Sequence, residues 1–258
     1  MRNTGRSALR LLHYWWPLAV GWSLTVVVHR ATGRVIEPNG VAVLLCGIVA
    51  AYSLDRVLDP AAVLTERWMF RLLVAVGVLA SLACGVAALR LPLQTSALVP
   101  VLGAAALRYP RLKTLPFTKT TALPLVWTWA AIALPCNDGS WFGWHAVLTP
   151  IAPPVFLLLA SGCLLCDLKD EAGDRSAGVR SIPAMLGGGT AVRIAVGLAL
   201  AAAGVALAEH RAGIALSAGA LGAAALAPSL LATEVAGPLL VDVILTLPGI
   251  LVSARVGW

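Results

Sequence analysis

Apolar residues along this chain gather in long runs, and polar residues collect in the short gaps between them, without the alternation of a half-buried strand. From Trp15 to the C-terminus these runs recur at roughly constant spacing. Measured against the ~20 residues a helix needs to cross a bilayer, they predict nine membrane helices, at about 12–29, 39–55, 71–89, 94–108, 120–136, 145–167, 190–208, 213–231 and 235–254. The fourth is short, and the second ends in charge.

Composition agrees with this pattern. Of 258 residues, 59% are apolar and 12% charged, with a mean hydropathy of +0.88, whereas a soluble domain has about 45–50% apolar and about 25% charged residues. The chain is therefore expected to be an all-α integral membrane protein, a bundle of about nine helices forming one domain over residues 1–258, with membrane lipids as its surroundings. A soluble enzyme is excluded. Arg2, Arg6 and Arg10 precede an apolar run with no small-residue cleavage site after it, so that run reads as a helix and not as a cleavable leader.

The net charge of +7 changes the picture only through its placement. With nine spans, fourteen Lys and Arg residues fall on one side and five on the other. The richer side carries Arg2, Arg6, Arg10, Arg56, Arg67, Arg71, Arg108, Arg111, Lys113, Lys119, Lys169, Arg175, Arg180 and Arg193. The positive-inside rule makes that side, and the N-terminus, cytoplasmic, in a bacterial-type cytoplasmic membrane. The basic balance is then topology and gives no reason to expect nucleic acid. Five cysteines show no disulfide framework, and the Cys163–Cys166 pair lacks the second pair or the histidines of a metal site.

Acidic residues are spread less evenly. Seven of the twelve lie in two segments on the basic side: Asp55, Asp59 and Glu66 after the second helix, and Asp167, Asp170, Glu171 and Asp174 after the sixth. The offsets 0, 3, 4 and 7 of the latter four place them on one face if the helix continues. Their mutual repulsion calls for a positive partner, either Lys169, Arg175 and Arg180 as an ion-paired loop, or a divalent cation such as Mg²⁺, which favours carboxylates together with phosphate oxygens. Asp55 and Asp59 are an i,i+4 pair; Asp59 before Pro60 also suits the start of a helix, while Asp55 follows an unbroken apolar run. Between the two acidic segments Arg108, Arg111, Lys113 and Lys119 fall in twelve residues with Tyr109, which reads either as a positive-inside loop or as a diphosphate-binding segment. Asp242 is an acid inside an apolar helix, where a functional role is the default reading and a hydrogen bond to Thr246 the bland one. His13, Tyr14, Trp15 and Trp16 suit an interfacial aromatic belt, or, for His13 and Trp16, the acceptor end of a cavity.

These residues resemble the UbiA superfamily of membrane-embedded prenyltransferases, nine-helix bundles that use two Asp-rich motifs and Mg²⁺ to ionise a prenyl diphosphate. The segment from Asp167 to Gly187, DLKDEAGDRSAGVRSIPAMLG, is similar to the family's second motif, DxxDxxGDxxxGxxTLPxxxG, with Ser181 and Ile182 for Thr and Leu. The run Tyr109 to Lys113 with Lys119 is similar to its basic segment. The first motif departs from the pattern: Ala51 and Tyr52 stand where Asn and Asp of NDxxDxxxD would, and AVLTERWMF replaces the usual RPxxxG stretch. The resemblance implies Mg²⁺ held by Asp55, Asp59, Asp167, Asp170 and Asp174, with Asp55, Asp170 and Asp174 catalytic. Arg56, Tyr109, Lys113, Lys119 and Arg175 would bind the diphosphate, and Tyr52, His13, Trp16 and Asp242 would line the prenyl or acceptor cavity. The expected partners are a prenyl diphosphate and a lipid-soluble acceptor. A terpene cyclase using no acceptor, or a non-catalytic isoprenoid-binding relative, would fit the same scaffold.

Overall fold

The computed structural model describes residues 2–58, 67–112, 114–136 and 139–254, without the side chains of residues 2–12, 110 and 146. Among the described residues there is no strand, and nine helices have thirteen or more residues: α1 (Arg2–Thr32), α2 (Pro38–Leu58), α3 (Arg67–Ala88), α4 (Leu98–Leu112), α5 (Thr118–Ala133), α6 (Ala152–Cys166), α7 (Gly188–Ala208), α8 (Ala212–Ala224) and α9 (Ala236–Ser253). Each matches one of the nine predicted runs. The first helix begins at Arg2, ten residues before its predicted start, and the fourth is displaced by four residues toward the C-terminus; two other ends differ where proline intervenes. The sixth helix starts at Ala152 and not near residue 145, because Pro150, Pro153 and Pro154 suit a first turn but not a helix interior, and Trp144–Val147 forms a separate short helix. The eighth stops at Ala224, since the ring of Pro228 would clash with the Ala224 carbonyl four residues earlier; a short helix, Pro228–Leu231, follows instead.

Five helical segments are long and apolar enough to cross a membrane on their own: α2, α3, α6 with the turns that follow it, α7 and α9. The surface is apolar as well. Val74, Val78, Leu79, Leu82 and Val86 on α3, Leu200 and Leu207 on α7, Leu216 on α8 and Ile250 on α9 are all exposed. Contiguous apolar surface of this kind needs a lipid solvent. The protein is an integral membrane protein.

Packing runs around the bundle, α5 against α6, α6 against α7, α7 against α8, α8 against α9, and closes where α9 meets α1, while α3 packs on α2. Lipid offers helices no hydrophobic reason to associate, so close approach and buried hydrogen bonds must do it. Helix α7 turns a stripe of small residues inward, Ala191, Ala195, Ala199, Ala202 and Ala206, each at most 1% exposed, and Ser161 of α6 donates to the Ala195 carbonyl at 2.9 Å. Where α1 meets α9, Ser23 Oγ donates to the Thr246 carbonyl (3.1 Å) and accepts from the Gly249 amide (2.9 Å). A Cβ on Gly249 would lie 2.5 Å from Ser23 Cα, so only glycine permits this crossing.

Helix α6 is enclosed on every side, with Val155, Leu158, Leu164 and Leu165 all at most 1% exposed. Its C-terminal end therefore delivers the second acidic segment to the middle of one end of the bundle. The α2 C-terminus arrives at this end too, where the Arg56 guanidinium lies over the Tyr14 ring of α1 at 5.3 Å.

Candidate functional site

The acidic segment does not continue α6 as one regular helix. After Cys166 the chain tightens into a 3-10 turn, Asp167–Asp170, and then a short helix, Glu171–Ser176. With three residues per turn, positions 167 and 170 stack on one another. This changes the expected single face. Asp167, Asp170 and Asp174 point together, while Glu171 turns aside to pair with Arg175 at 2.8 Å. Glu171 also lies against the start of α7, where its charge complements the helix N-terminus, and a Cβ on Gly188 would come within 2.8 Å of its Oε2.

The positive charge required by the three converging acids comes from α5. Lys119 Nζ stands 3.0 Å from Asp167 Oδ1, 3.2 Å from Asp170 Oδ2 and 3.2 Å from Asp174 Oδ2. Lys169 adds a 2.6 Å contact to Asp170 Oδ1. Of the neighbours expected to neutralise this segment, Lys169 does so; Arg175 is committed to Glu171 and, at 3.3 Å, to the Ala184 carbonyl, and lies outside the carboxylate cluster. Sequence proximity could not reveal this, because the main partner is half a hundred residues away. The loop before α5 is tied to the same region: Phe117, in the left-handed backbone region at φ 61°, donates its amide to the Arg180 carbonyl at 3.3 Å.

Asp167 is 5% exposed, and among the described residues its Oδ2 has no hydrogen-bond partner. A buried carboxylate oxygen without a donor is costly, and it is the kind of atom that a hard cation satisfies. Among the described residues no group of three or more His, Cys, Asp or Glu side chains is gathered tightly enough to ligate a metal; the ammonium of Lys119 occupies the position on which the three carboxylates converge. The donor set suits Mg²⁺ in chemistry and charge, and a metal would replace that ammonium.

The first acidic segment approaches without joining this cluster. Asp55 lies at the end of α2, with a loose 3.9 Å contact to Arg56. Tyr109, near the end of α4, is close enough to Asp55, Asp167 and Lys119 to interact electrostatically with all three. Asp59 and Lys113 lie outside the described residues.

Tyr52, Cys163, Cys166 and Asp242 are each partly buried, and Asp242 is close enough to the other three to interact with them electrostatically. Tyr52 meets Trp127 of α5 edge to face, with ring centroids 6.4 Å apart. Thr246 does not serve Asp242, because its hydroxyl donates to the Val243 carbonyl at 2.6 Å. All five cysteines are free. Cys163 precedes Asp167 by one turn on the same face. Of the aromatic belt expected at His13, Tyr14, Trp15 and Trp16, the ring nitrogens His13 Nδ1, Trp15 Nε1 and Trp16 Nε1 are buried and have no hydrogen-bond partner among the described residues, whereas a belt presents such groups to headgroups and water.

No family model matches the chain, and no curated protein matches it in sequence. Among solved structures, the chain is similar to the apo structure of a UbiA homolog from Aeropyrum pernix K1, with a TM-score of 0.70 and 19% identity, covering 92% of this chain and 98% of that one. At that identity the likeness is one of fold, and it extends over nearly the whole bundle.

Proposed function

We propose that the protein is a Mg²⁺-dependent prenyltransferase of the UbiA superfamily, moving a prenyl group from its diphosphate to a lipid-soluble acceptor within the membrane. The observation that carries this reading is the convergence of Asp167, Asp170 and Asp174 on one cation position at the end of an apolar bundle. The resemblance of the 167–187 segment to the second Asp-rich motif and the UbiA-type fold support it.

Asp167, Asp170 and Asp174 would hold the metal, with Asp55 and Asp59 the candidates from the first motif. When bound, Mg²⁺ supplies Lewis-acid neutralisation of the departing diphosphate. Lys119, released from the carboxylates, is placed to contact diphosphate oxygens; Tyr109 beside it donates a hydrogen bond, and Arg56 and Lys113 extend the positive field. The apolar helices exclude water that would quench an allylic cation. Two oxygen ligands are missing at Ala51 and Tyr52, so the second motif carries most of the metal affinity in this reading. By the positive-inside rule this end of the bundle is cytoplasmic, and the odd number of spans puts the C-terminus on the other side. Tags at the two termini should therefore be accessible from opposite faces of sealed vesicles, and finding both on one face refutes the topology.

The test is release of diphosphate from farnesyl or geranylgeranyl diphosphate by the purified protein with Mg²⁺ and a membrane lipid extract as acceptor source. Asp170→Ala and Asp174→Ala should each lower the rate by roughly a hundredfold or more. Unchanged rates and unchanged Mg²⁺-dependent diphosphate binding refute the metal site; prenyl alcohols or hydrocarbons formed without acceptor assign cyclisation or hydrolysis instead.

A further inference from the structure

At the end of the bundle away from the carboxylates, α1 stops at Thr32, α6 begins at Ala152 and α8 begins at Ala212. A recess of about 240 Å³ opens there, lined mainly by Arg34, Arg211, Thr32, Thr149, Pro150 and Ile151. One water takes about 30 Å³ of the liquid, so a phosphate and the carbons esterified to it fit the space. The length of α6 separates the recess from Asp167 by roughly 22 Å. The sequence assigns five Lys and Arg residues to this end and fourteen to the other, yet two of the five share one recess. Both are held in place by the protein. Thr32 Oγ1 accepts the Arg34 amide at 3.3 Å, His29 Nδ1 donates to the Arg34 carbonyl, and Arg34 Nη1 donates to the Cys136 carbonyl at 3.4 Å. Arg211 Nε lies 2.7 Å from Glu209 Oε2. A guanidinium has five N–H donors in a planar fork, so it can keep such contacts and share an oxyanion as well. Side chains already oriented lose little freedom when a ligand arrives.

A second observation fixes the depth of this recess in the bilayer. The segment that leads into Thr149 carries Trp141, Phe142 and Trp144, all exposed, and then Leu148, exposed as well. It is a fixed element: Gly143 has φ 65° and a Cβ there would lie 2.3 Å from that of Ala133, while Trp129 Nε1 donates to the Phe142 carbonyl at 2.7 Å. Outward indoles at the end of membrane helices belong at the headgroup level. Leu207, one turn before Arg211 on α7, is exposed too, so apolar surface suited to acyl chains begins beside both ends of the recess. At headgroup level the phosphate of the lipid itself is the anion in reach, and two guanidiniums match its oxygens. We propose that Arg34 and Arg211 bind the phosphate group of a phospholipid, whose acyl chains run along the apolar surface that starts at Leu148 and Leu207. Free phosphate offers the same oxygens without the chains. The site stands apart from the prenyl-transfer reading and from its metal.

The test is native mass spectrometry of the purified full chain in detergent, titrated separately with dioleoyl phosphatidylglycerol, with dioleoylglycerol, which lacks the phosphate, and with inorganic phosphate. Wild type should bind the phospholipid roughly tenfold or more tightly than the diacylglycerol, the worth of charge-assisted hydrogen bonds to the phosphate, and more tightly than inorganic phosphate. Arg34→Gln and Arg211→Gln should each weaken binding of the first phospholipid by roughly tenfold, and Arg34→Lys should keep part of it. Arg193→Gln, which removes an exposed cation from the other end of the bundle, should change it by less than about twofold. Should Arg211→Gln fail to fold without its contact to Glu209, Arg34→Gln decides. Phospholipid affinity that survives either glutamine substitution, or that falls as far in Arg193→Gln, overturns the inference. Inorganic phosphate binding as tightly as the phospholipid also overturns it and assigns the recess to a free anion.

Discussion

Replacing Lys119 with methionine keeps the length of the side chain and removes the charge on which three carboxylates converge. Lys119 is 15% exposed, Asp167 7% and Asp174 13% at the side chain, so these contacts are poorly screened. Removing one partner of a buried ion pair costs about 3–5 kcal/mol, because the other charge stays buried. Asp170 is 36% exposed and keeps Lys169 at 2.6 Å, so its share is discounted for solvent screening. The low end, about 3 kcal/mol, is the expected loss. At roughly 2–4 °C per kcal/mol for a chain of this size, Tm should fall by about 6–12 °C. Tryptophan fluorescence during thermal unfolding in detergent with EDTA measures it. A cation that takes the vacated position reverses the loss, since ligand at a hundred times its Kd contributes about 2.7 kcal/mol. Mg²⁺ should thus raise Tm more in Lys119→Met than in wild type, where it must displace the ammonium. A fall below about 2 °C in EDTA, or equal Mg²⁺ effects on both proteins, refutes the reasoning.

Two further substitutions test the packing and the site separately. Gly249→Val should lower the stability by about 1–3 kcal/mol or more through overpacking, since its Cβ meets Ser23 backbone at 2.5 Å; an unchanged thermal midpoint would show that α1 and α9 do not cross as described. Arg175→Ala should leave Mg²⁺-dependent diphosphate affinity within about twofold, because its guanidinium is held by Glu171 and the Ala184 carbonyl, a change under ~0.5 kcal/mol. Loss of affinity in equilibrium dialysis would put that guanidinium back in the diphosphate site.

The nine helices were legible because each apolar run had to be satisfied within itself: in lipid the backbone has no other hydrogen-bond partner. Their order, their approximate bounds and the Asp167–Gly187 motif follow from linear pattern alone. The errors at 145–152 and 224–231 arose where hydropathy continued across prolines that end a helix for steric reasons. Which acids share a cation was not legible. That depended on the 3-10 turn at Asp167–Asp170, which rotates Glu171 away, and on the enclosure of α6, which brings its end against the first turn of α5 and so places Lys119 among three carboxylates. Local periodicity determines what each segment becomes in a bilayer; only the three-dimensional arrangement decides which distant charges neutralise one another.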